Sequence, residues 1–495
     1  MKMEDMLLVP VFFPILAGTV LLIKKEYQNR SSLLLYVGGT LLITGAFAFY
    51  AIFGITDGVT LFYLTDTFPV YFKLDTLGRY FSFLFTVVWI LAGFFSFEYM
   101  KKEQKEKRYF GFYLIVFGVL LGLDFAGNLI TMYLFYEFMT LTSLPLVLHT
   151  QTKEAVMAGL RYLFFSFAGA YMALFGVYFI CRYGTTLTFT AGGVIPAAVL
   201  QEHRTLFLVV TMCMLIGFGV KAGMFPLHAW LPAAHPVAPG PASAVLSGII
   251  VKGGVLALIR VVYQMIGADF LRGTWVQTAW MTLALITVFM GSMLAFREPV
   301  LKKRLAYSTV SQLSYILFGL AVLQPQALTG ALLHVSAHAF IKVALFLCAA
   351  AVIYRTGCKR VEELRGIGKG MPVTLWCYTI VSLGLIGIPP ASGFISKWSL
   401  AAGSLASGIP VFSWLGPVVL LVSALLTAGY LLPVTMQGFF PGEKYDASRF
   451  AGKEPSYWML VPLLALAVVT VWIGLFPNMW TDGLSAFADQ VLKVM

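Results

Sequence analysis

In Gly217-Phe218-Gly219-Val220-Lys221-Ala222-Gly223-Met224-Phe225-Pro226 a lysine closes a run that is otherwise apolar enough to cross a bilayer, and the chain behind it cannot stay helical. A second lysine keeps similar company, since Lys397 follows Gly387-Ile388-Pro389-Pro390-Ala391-Ser392-Gly393. Glu137, Lys252 and Lys342 also lie inside apolar runs. A charge at the centre of a transmembrane helix costs about 2.5–3.5 kcal/mol on insertion scales, so a chain that keeps several is using them. Ion-carrying sites in transporters are built at helix breaks in corresponding positions of internal repeats. The pattern implies ion translocation across a membrane.

Composition bounds the class. Of 495 residues, 59% are hydrophobic and 11% charged, and the mean hydropathy is +0.86. No soluble domain of this size reads that way. The first apolar run follows acidic residues and has no small-residue cleavage site, so it reads as a span and not as a removed signal. Cys181, Cys213, Cys348, Cys358 and Cys377 form no CxxC pair. They suggest neither an iron–sulfur cradle nor a zinc site, so any redox cofactor is expected in a partner chain. A phosphate-cradling glycine loop and a Ser/His/Asp grouping are both missing, and ATP hydrolysis is not expected.

Apolar runs of spanning length fall near 6–23, 31–53, 77–97, 109–123, 128–149, 155–180, 205–222, 242–265, 274–296, 305–323, 327–354, 372–395, 412–437 and 455–477. The expected fold is therefore an all-α polytopic membrane protein with about fourteen transmembrane helices, the seventh and twelfth ending in breaks. Segment 54–76 is the main external loop, and 182–204 is expected on the outer surface. Of the 34 lysines and arginines, 21 fall in one set of alternate loops, 8 on the opposite side with the termini, and 5 within spans. By the positive-inside rule the richer set is cytoplasmic and both termini are external. The excess of +12 is then topological, which argues against nucleic-acid binding.

The intramembrane residues suggest a relay. Glu137 sits halfway along the fifth span, where a carboxylate needs either a cation or a proton. Lys221 and Lys397 stand at the two breaks, where freed backbone carbonyls and trapped water can solvate an ammonium. Lys252 is mid-span beside Gly253 and Gly254, which permit close helix approach or water entry. His334, His338 and Lys342 share one face at i, i+4, i+8. Zinc accepts two histidines at that spacing, but lysine is a poor third ligand, so proton relay is the expected role and structural hydrogen bonding the alternative. His228 and His235 flank the first break and either gate or hydrate it, or cap it. Pro226, Pro389 and Pro390 mark the breaks as candidate gates.

Read onward to His235, through Leu227-His228-Ala229-Trp230-Leu231-Pro232-Ala233-Ala234-His235, the opening stretch closely resembles the seventh-span signature of antiporter-like subunits. These occur in respiratory complex I, Mrp-type cation/proton antiporters and membrane-bound energy-converting hydrogenases. The resemblance covers essentially the whole chain. It implies two inverted five-helix repeats, with 1–108 as N-terminal helices, 109–265 and 274–437 as the repeats, and 455–495 as a last helix and tail. It also implies that Glu137 pairs with and modulates Lys221, that Lys252 connects the halves, and that His334, His338, Lys342 and Lys397 form the second half of the path. The family often has an acidic residue where this chain has Ala233, and some paralogues carry Glu at the position of Lys397. The chain ends soon after the last span, so no long lateral helix is expected. Implied partners are other membrane subunits, further antiporter-like paralogues and a redox arm, with H+ as cargo and Na+ as the second candidate. The implied setting is the inner or cytoplasmic membrane.

Overall fold

Short polar side chains fix where the apolar runs become helical. Asn29, Asp75, Asn128 and Thr152 accept backbone N–H groups at the starts of α2 (Arg30–Gly54), α3 (Thr76–Tyr99), α5 (Leu129–Val147) and α6 (Lys153–Tyr183). Such caps satisfy donors that a helix start leaves free. α1 (Val9–Ile23) and α4 (Glu106–Asp124) complete this first group and pack on each other. α7 (Arg204–Lys221), α8 (Trp230–Val237) and α9 (Gly240–Ile266) follow. Then come α10 (Trp275–Arg297), α11 (Leu301–Ala321), α12 (Pro325–Thr356), α13 (Pro372–Ile386) and α14 (Ser392–Ala406). α15 (Phe412–Phe439), α16 (Tyr457–Leu475) and α17 (Asn478–Leu492) end the chain.

This computed structural model describes residues 3–24, 29–442 and 447–492. Lys2, Lys25, Lys444 and Lys493 of the charge count lie outside the described residues. Eleven of the described helices are long and apolar enough to cross a membrane. α4 and α11, expected as spans, are not among them: α4 carries Glu106, Lys107, Arg108 and Asp124 at its ends, and α11 opens on Lys302-Lys303-Arg304 and carries Ser308, Thr309, Ser311, Gln312 and Ser314 along its body. α13 and α14 are separate because Gly387, at φ +97°, turns the chain and two prolines follow.

Two helices form the centre. The apolar windows of α9 and α12 are 100% and 94% buried, against 39% for α1 and α16. α12 packs on α3, α11, α13, α14, α16 and α17. α9 carries two widened π-type stretches, Leu246–Ile250 and Arg260–Ile266, on either side of Lys252. Such stretches are rare and frequent at functional sites.

Three features depart from the expectation. The loop 54–76 holds an antiparallel hairpin, β1 (Val59–Thr65) and β2 (Phe68–Phe72), anchored where Phe72 meets Phe12 and Phe135 edge to face. Arg260, counted with the external loops, is inside α9 and buried, with its charge matched by Asp75. The tail is an amphipathic helix, α17, whose Leu484, Phe487 and Val491 are buried; their three-to-four residue apolar spacing is a helix signal already present in the sequence.

Candidate functional site

Lys221 is the last residue of α7 and is fully buried. Behind it Gly223 takes φ +69°, and the Met224 N–H returns to the Gly219 carbonyl at 2.9 Å. The Trp230 indole N–H then ties α8 back to the Val220 carbonyl at 2.9 Å. The sequence places the ammonium on backbone carbonyls freed by the break. In the structure it instead donates to three hydroxyls, Thr140 Oγ1 at 2.7 Å, Tyr162 OH at 2.8 Å and Ser166 Oγ at 3.1 Å. The break directs its own carbonyls elsewhere, so α5 and α6 supply the acceptors. Their signal is present: Tyr136, Thr140 and Ser143 on α5, and Tyr162 and Ser166 on α6, recur at helical spacing. Such hydroxyls commonly satisfy their own helix backbone, so the pattern alone does not mark a site.

Glu137 is only half-buried, and among the described residues it forms no ion pair with Lys221. The reason is angular. Tyr136 points inward, its ring 5.9 Å from Lys221 Nζ, and each further residue turns the helix by about 100°. Glu137 is therefore rotated toward the side where Phe138 is exposed, with Oε1 unpartnered. The direct pair implied by the resemblance is not made; Lys221 lies near the ring of Tyr136, the residue before Glu137.

Lys252 lies on α9, which packs on both α7 and α12. α9 reaches α7 through Gly254, where an added Cβ would lie 2.8 Å from Lys221 Cβ. On the other side Lys252 Nζ is 2.6 Å from Nδ1 of His338 on α12, and both residues are fully buried. A contact that short holds one proton between two basic nitrogens. Whichever nitrogen donates, the other must present a lone pair. Both cannot be charged at once.

His334 lies one turn before His338, ring centres 6.3 Å apart. It reaches Ser396 Oγ on α14 at 2.9 Å and Gln312 Oε1 on α11 at 3.2 Å, and its ring stacks on Tyr315. Lys342 donates to Ser308 Oγ at 2.7 Å and to the Leu305 carbonyl at 3.1 Å. Ser308 in turn meets Tyr430 OH at 2.6 Å. Lys397 behaves as a helix-break lysine should: it donates to the Leu385 and Ile386 carbonyls at 2.5 and 3.1 Å, at the end of α13, where the helix dipole is negative. Gln312, Ser396, Ser308 and Tyr430 escape a reading by charge; neutral, they carry no insertion cost that would mark them.

The remaining residues divide. Pro226, Pro389 and Pro390 are exposed at the two breaks. His228 is half-buried beside Phe225, at the first break. His235 lies away from that break: it is fully buried in α8, its ring lies on Phe346 of α12, and neither nitrogen is bonded, so it caps nothing. The two histidines therefore do not act as a pair.

Among the described residues, none of Lys221, Lys252, Lys342 and Lys397 has a carboxylate within 4.0 Å. Each ammonium rests on neutral acceptors. Breaking a buried ion pair costs about 3–5 kcal/mol because it strands the partner charge. A lysine held by hydroxyls and carbonyls can lose its proton without stranding anything. Also among the described residues, no group of three or more His, Cys, Asp or Glu is placed to hold a metal ion.

Residues 126–434 match the family described as NADH:quinone oxidoreductase/Mrp antiporter, transmembrane. The chain belongs to this family. A family relative, NADH-quinone oxidoreductase subunit N of Desulforudis audaxviator, is 34% identical over 388 residues, covering 76% of this chain and 75% of the relative. A Na+/H+ antiporter subunit of Alkalihalophilus pseudofirmus is 25% identical over 495 residues, covering 99% of this chain and 98% of the relative. In three dimensions the chain superposes on one from the Mrp complex of Dietzia with a TM-score of 0.83, 23% identity and coverage of 99% and 98%. The fold is that of membrane subunits of the Mrp complex and of respiratory complex I.

Proposed function

We propose that this chain is a proton-translocating subunit of a redox-driven membrane complex of the NADH:quinone oxidoreductase or energy-converting hydrogenase type. Protons move along Lys221, Lys252, His338, His334, Lys342 and Lys397, with Glu137 biasing Lys221 across Tyr136. The observation that carries this reading is the 2.6 Å contact between Lys252 and His338, which brings the lysine of α9, packed beside Lys221 through Gly254, into hydrogen-bond reach of the histidine face of α12. Proton transfer needs hydrogen-bond reach of that order. The 34% identity to the Desulforudis oxidoreductase subunit supports redox drive. A second reading, an Mrp-type Na+/H+ antiporter subunit without redox chemistry, is favoured by the end-to-end match to the Alkalihalophilus antiporter protein.

The same proposal includes fourteen crossings, with 109–265 and 274–437 as inverted repeats flanked by 1–108 and 455–495, in the inner or cytoplasmic membrane. Both termini lie outside. A cleft of about 340 Å³ on the opposite side, lined by Glu103, Lys302 and Lys359, supplies a water-accessible mouth. Lys302 closes its floor by donating to the Ala238 carbonyl at 2.6 Å, close in sequence to His235.

Mass spectrometry of the proteins that co-purify after mild detergent extraction separates the two readings. A nickel–iron or iron–sulfur protein supports redox drive, and small membrane proteins alone support the antiporter. Normal proton translocation by an assembled Lys221→Ala complex would sink the relay itself.

A further inference from the structure

Asp124 ends α4 and is fully buried, with Ser82 of α3 as its neighbouring hydroxyl and neither carboxylate oxygen nor that hydroxyl in a well-formed hydrogen bond. One turn further along α3, Thr86 is a second buried hydroxyl without a partner. The first turn of α3 is pressed so close that a Cβ on Gly78 would lie 2.6 Å from the Asp124 carbonyl oxygen. The nearest opposite charge is Arg260, and its guanidinium is already engaged. It holds the Asp75 carboxylate with both Nη1 and Nη2, the latter at 2.8 Å from Oδ1, and donates to Gln264 Oε1 at 2.8 Å. Asp75 is one-third exposed and lines a cleft with Lys73 and Thr188 on the side that carries the hairpin. One cation thus stands between two carboxylates, an outer one that it bonds and an inner one that it does not.

An ionised carboxylate left buried and unpaired costs several kcal/mol. Asp124 is therefore ionised only while Arg260 turns to it, and carries a proton while Arg260 stays on Asp75. We propose that Asp124 is a proton-exchange site between the hairpin-side cleft and Lys252, gated by Arg260 switching between Asp75 and Asp124. The inward connection is short. Leu123 packs on Gly253, the neighbour of Lys252, where an added Cβ would be 2.9 Å from Leu123 Cδ2. Arg260 lies eight residues beyond Lys252 on α9, about 12 Å along the axis. Tyr80, two residues before Ser82, bonds Ser336, two residues before His338, so α3 also reaches the relay on α12. A guanidinium beside the site repels a metal ion, which makes the occupant a proton and not Na+.

The proposal rests on Lys252 being part of the relay, and its test keeps the two apart. The purified complex in proteoliposomes is assayed for dye-detected proton transport and for the protonated-carboxyl band in infrared difference spectra. Asp124→Asn should lower transport by about tenfold or more and remove a band, in a complex that assembles normally on native gels, while Asp124→Glu retains more transport. Asp75→Asn frees Arg260 for Asp124, so it should remove the same band with Asp124 intact; this covers the case in which Asp124→Asn fails to assemble. Wild-type transport in assembled Asp124→Asn, or an unchanged band in Asp75→Asn, overturns the proposal. Loss of the band on adding NaCl, but not choline chloride, overturns it in favour of a metal cation. If Asp124→Asn transports normally while Lys221→Ala does not, only this proposal fails; if both transport normally, the relay reading fails with it.

Discussion

Gly253 and Gly254 are neighbours on α9, and replacing each with alanine should have opposite consequences. A Cβ at Gly254 would meet Lys221 Cβ and the Phe218 carbonyl oxygen at 2.8 Å and the Ala222 nitrogen at 3.0 Å. Carbon atoms rest about 3.5–4.0 Å apart, so α7 must retreat by roughly 0.8 Å. Two of the three obstructing atoms are backbone, and no side-chain rotation relieves them. Lys221 would travel with α7, and its hydrogen bonds of 2.7, 2.8 and 3.1 Å would lengthen toward about 3.5–3.9 Å, beyond useful reach. A displacement of about 1 Å at a reacting group can cost on the order of 100-fold in rate. Gly254→Ala should therefore cut proton transport by at least about tenfold, with an overpacking cost of about 1–3 kcal/mol in stability. A Cβ at Gly253 meets Met139 Sδ and Cε at 2.8 Å and Leu123 Cδ2 at 2.9 Å, all at the ends of flexible side chains. Gly253→Ala should keep most of its transport. The assay is dye-detected acidification of inverted vesicles, normalised to assembled complex. Equal losses in the two variants, or a normal rate in Gly254→Ala, would refute the claim that close α7–α9 contact positions Lys221.

Lys221→Ala and Glu137→Ala should each strongly reduce transport in assembled complexes, with Glu137→Ala the milder because its influence crosses Tyr136; native-gel assembly beside vesicle transport checks both. Lys397→Glu should be less damaging than Lys397→Leu, since a titratable group at the end of α13 still exchanges a proton, and equal residual activity would make Lys397 structural. Burial pushes the Asp75 carboxyl up, but the Arg260 charge and hydrogen bonds, with the Gly78 N–H, outweigh it and hold the group below its usual 3.8. Stability from this pair is present above the unfolded value and is lost as pH falls through the lower folded one. Thermal melts of wild type should weaken in that acid window, while those of Asp75→Asn should not. In a variant without the five native cysteines, a cysteine at Asp482 should react with an impermeant maleimide in intact cells, and one at Glu362 only after permeabilisation; the reverse pattern inverts the orientation.

Charges are the legible part of this sequence because they are expensive in a bilayer. Lys221, Lys252 and Lys342, with both histidines of α12, are fully buried and Lys397 is half-buried, each with its own hydrogen-bond partner, and the breaks that bear Lys221 and Lys397 stand where glycine and proline put them. Less legible is everything that depends on which way a helix faces. Glu137 sits at the expected depth, but it is half-buried between an inward Tyr136 and an outward Phe138 and makes no ion pair. The hydroxyls that hold Lys221 come from α5 and α6, as many as 81 residues away, and no spacing rule reaches that far. Arg260 reads as a loop charge because its partner, Asp75, lies 185 residues earlier.

That pairing changes how the interior charge is balanced. The four lysines and two histidines are all basic, and among the described residues none has a carboxylate within 4.0 Å. Like charges at these depths repel strongly in a low dielectric, so adjacent members of the chain cannot all be protonated together. A proton arriving at Lys221 must therefore favour departure from its neighbour, and so on toward Lys397. Hydroxyl and carbonyl contacts suit such alternation, because they stabilise an ammonium and tolerate a neutral amine. A carboxylate beside each lysine would have stabilised the charged state permanently and stalled the sequence. Glu137 and Asp124 fit this logic, since neither forms an ion pair with these lysines. One is half-buried beside Tyr136, and the other is buried near an arginine already bonded elsewhere.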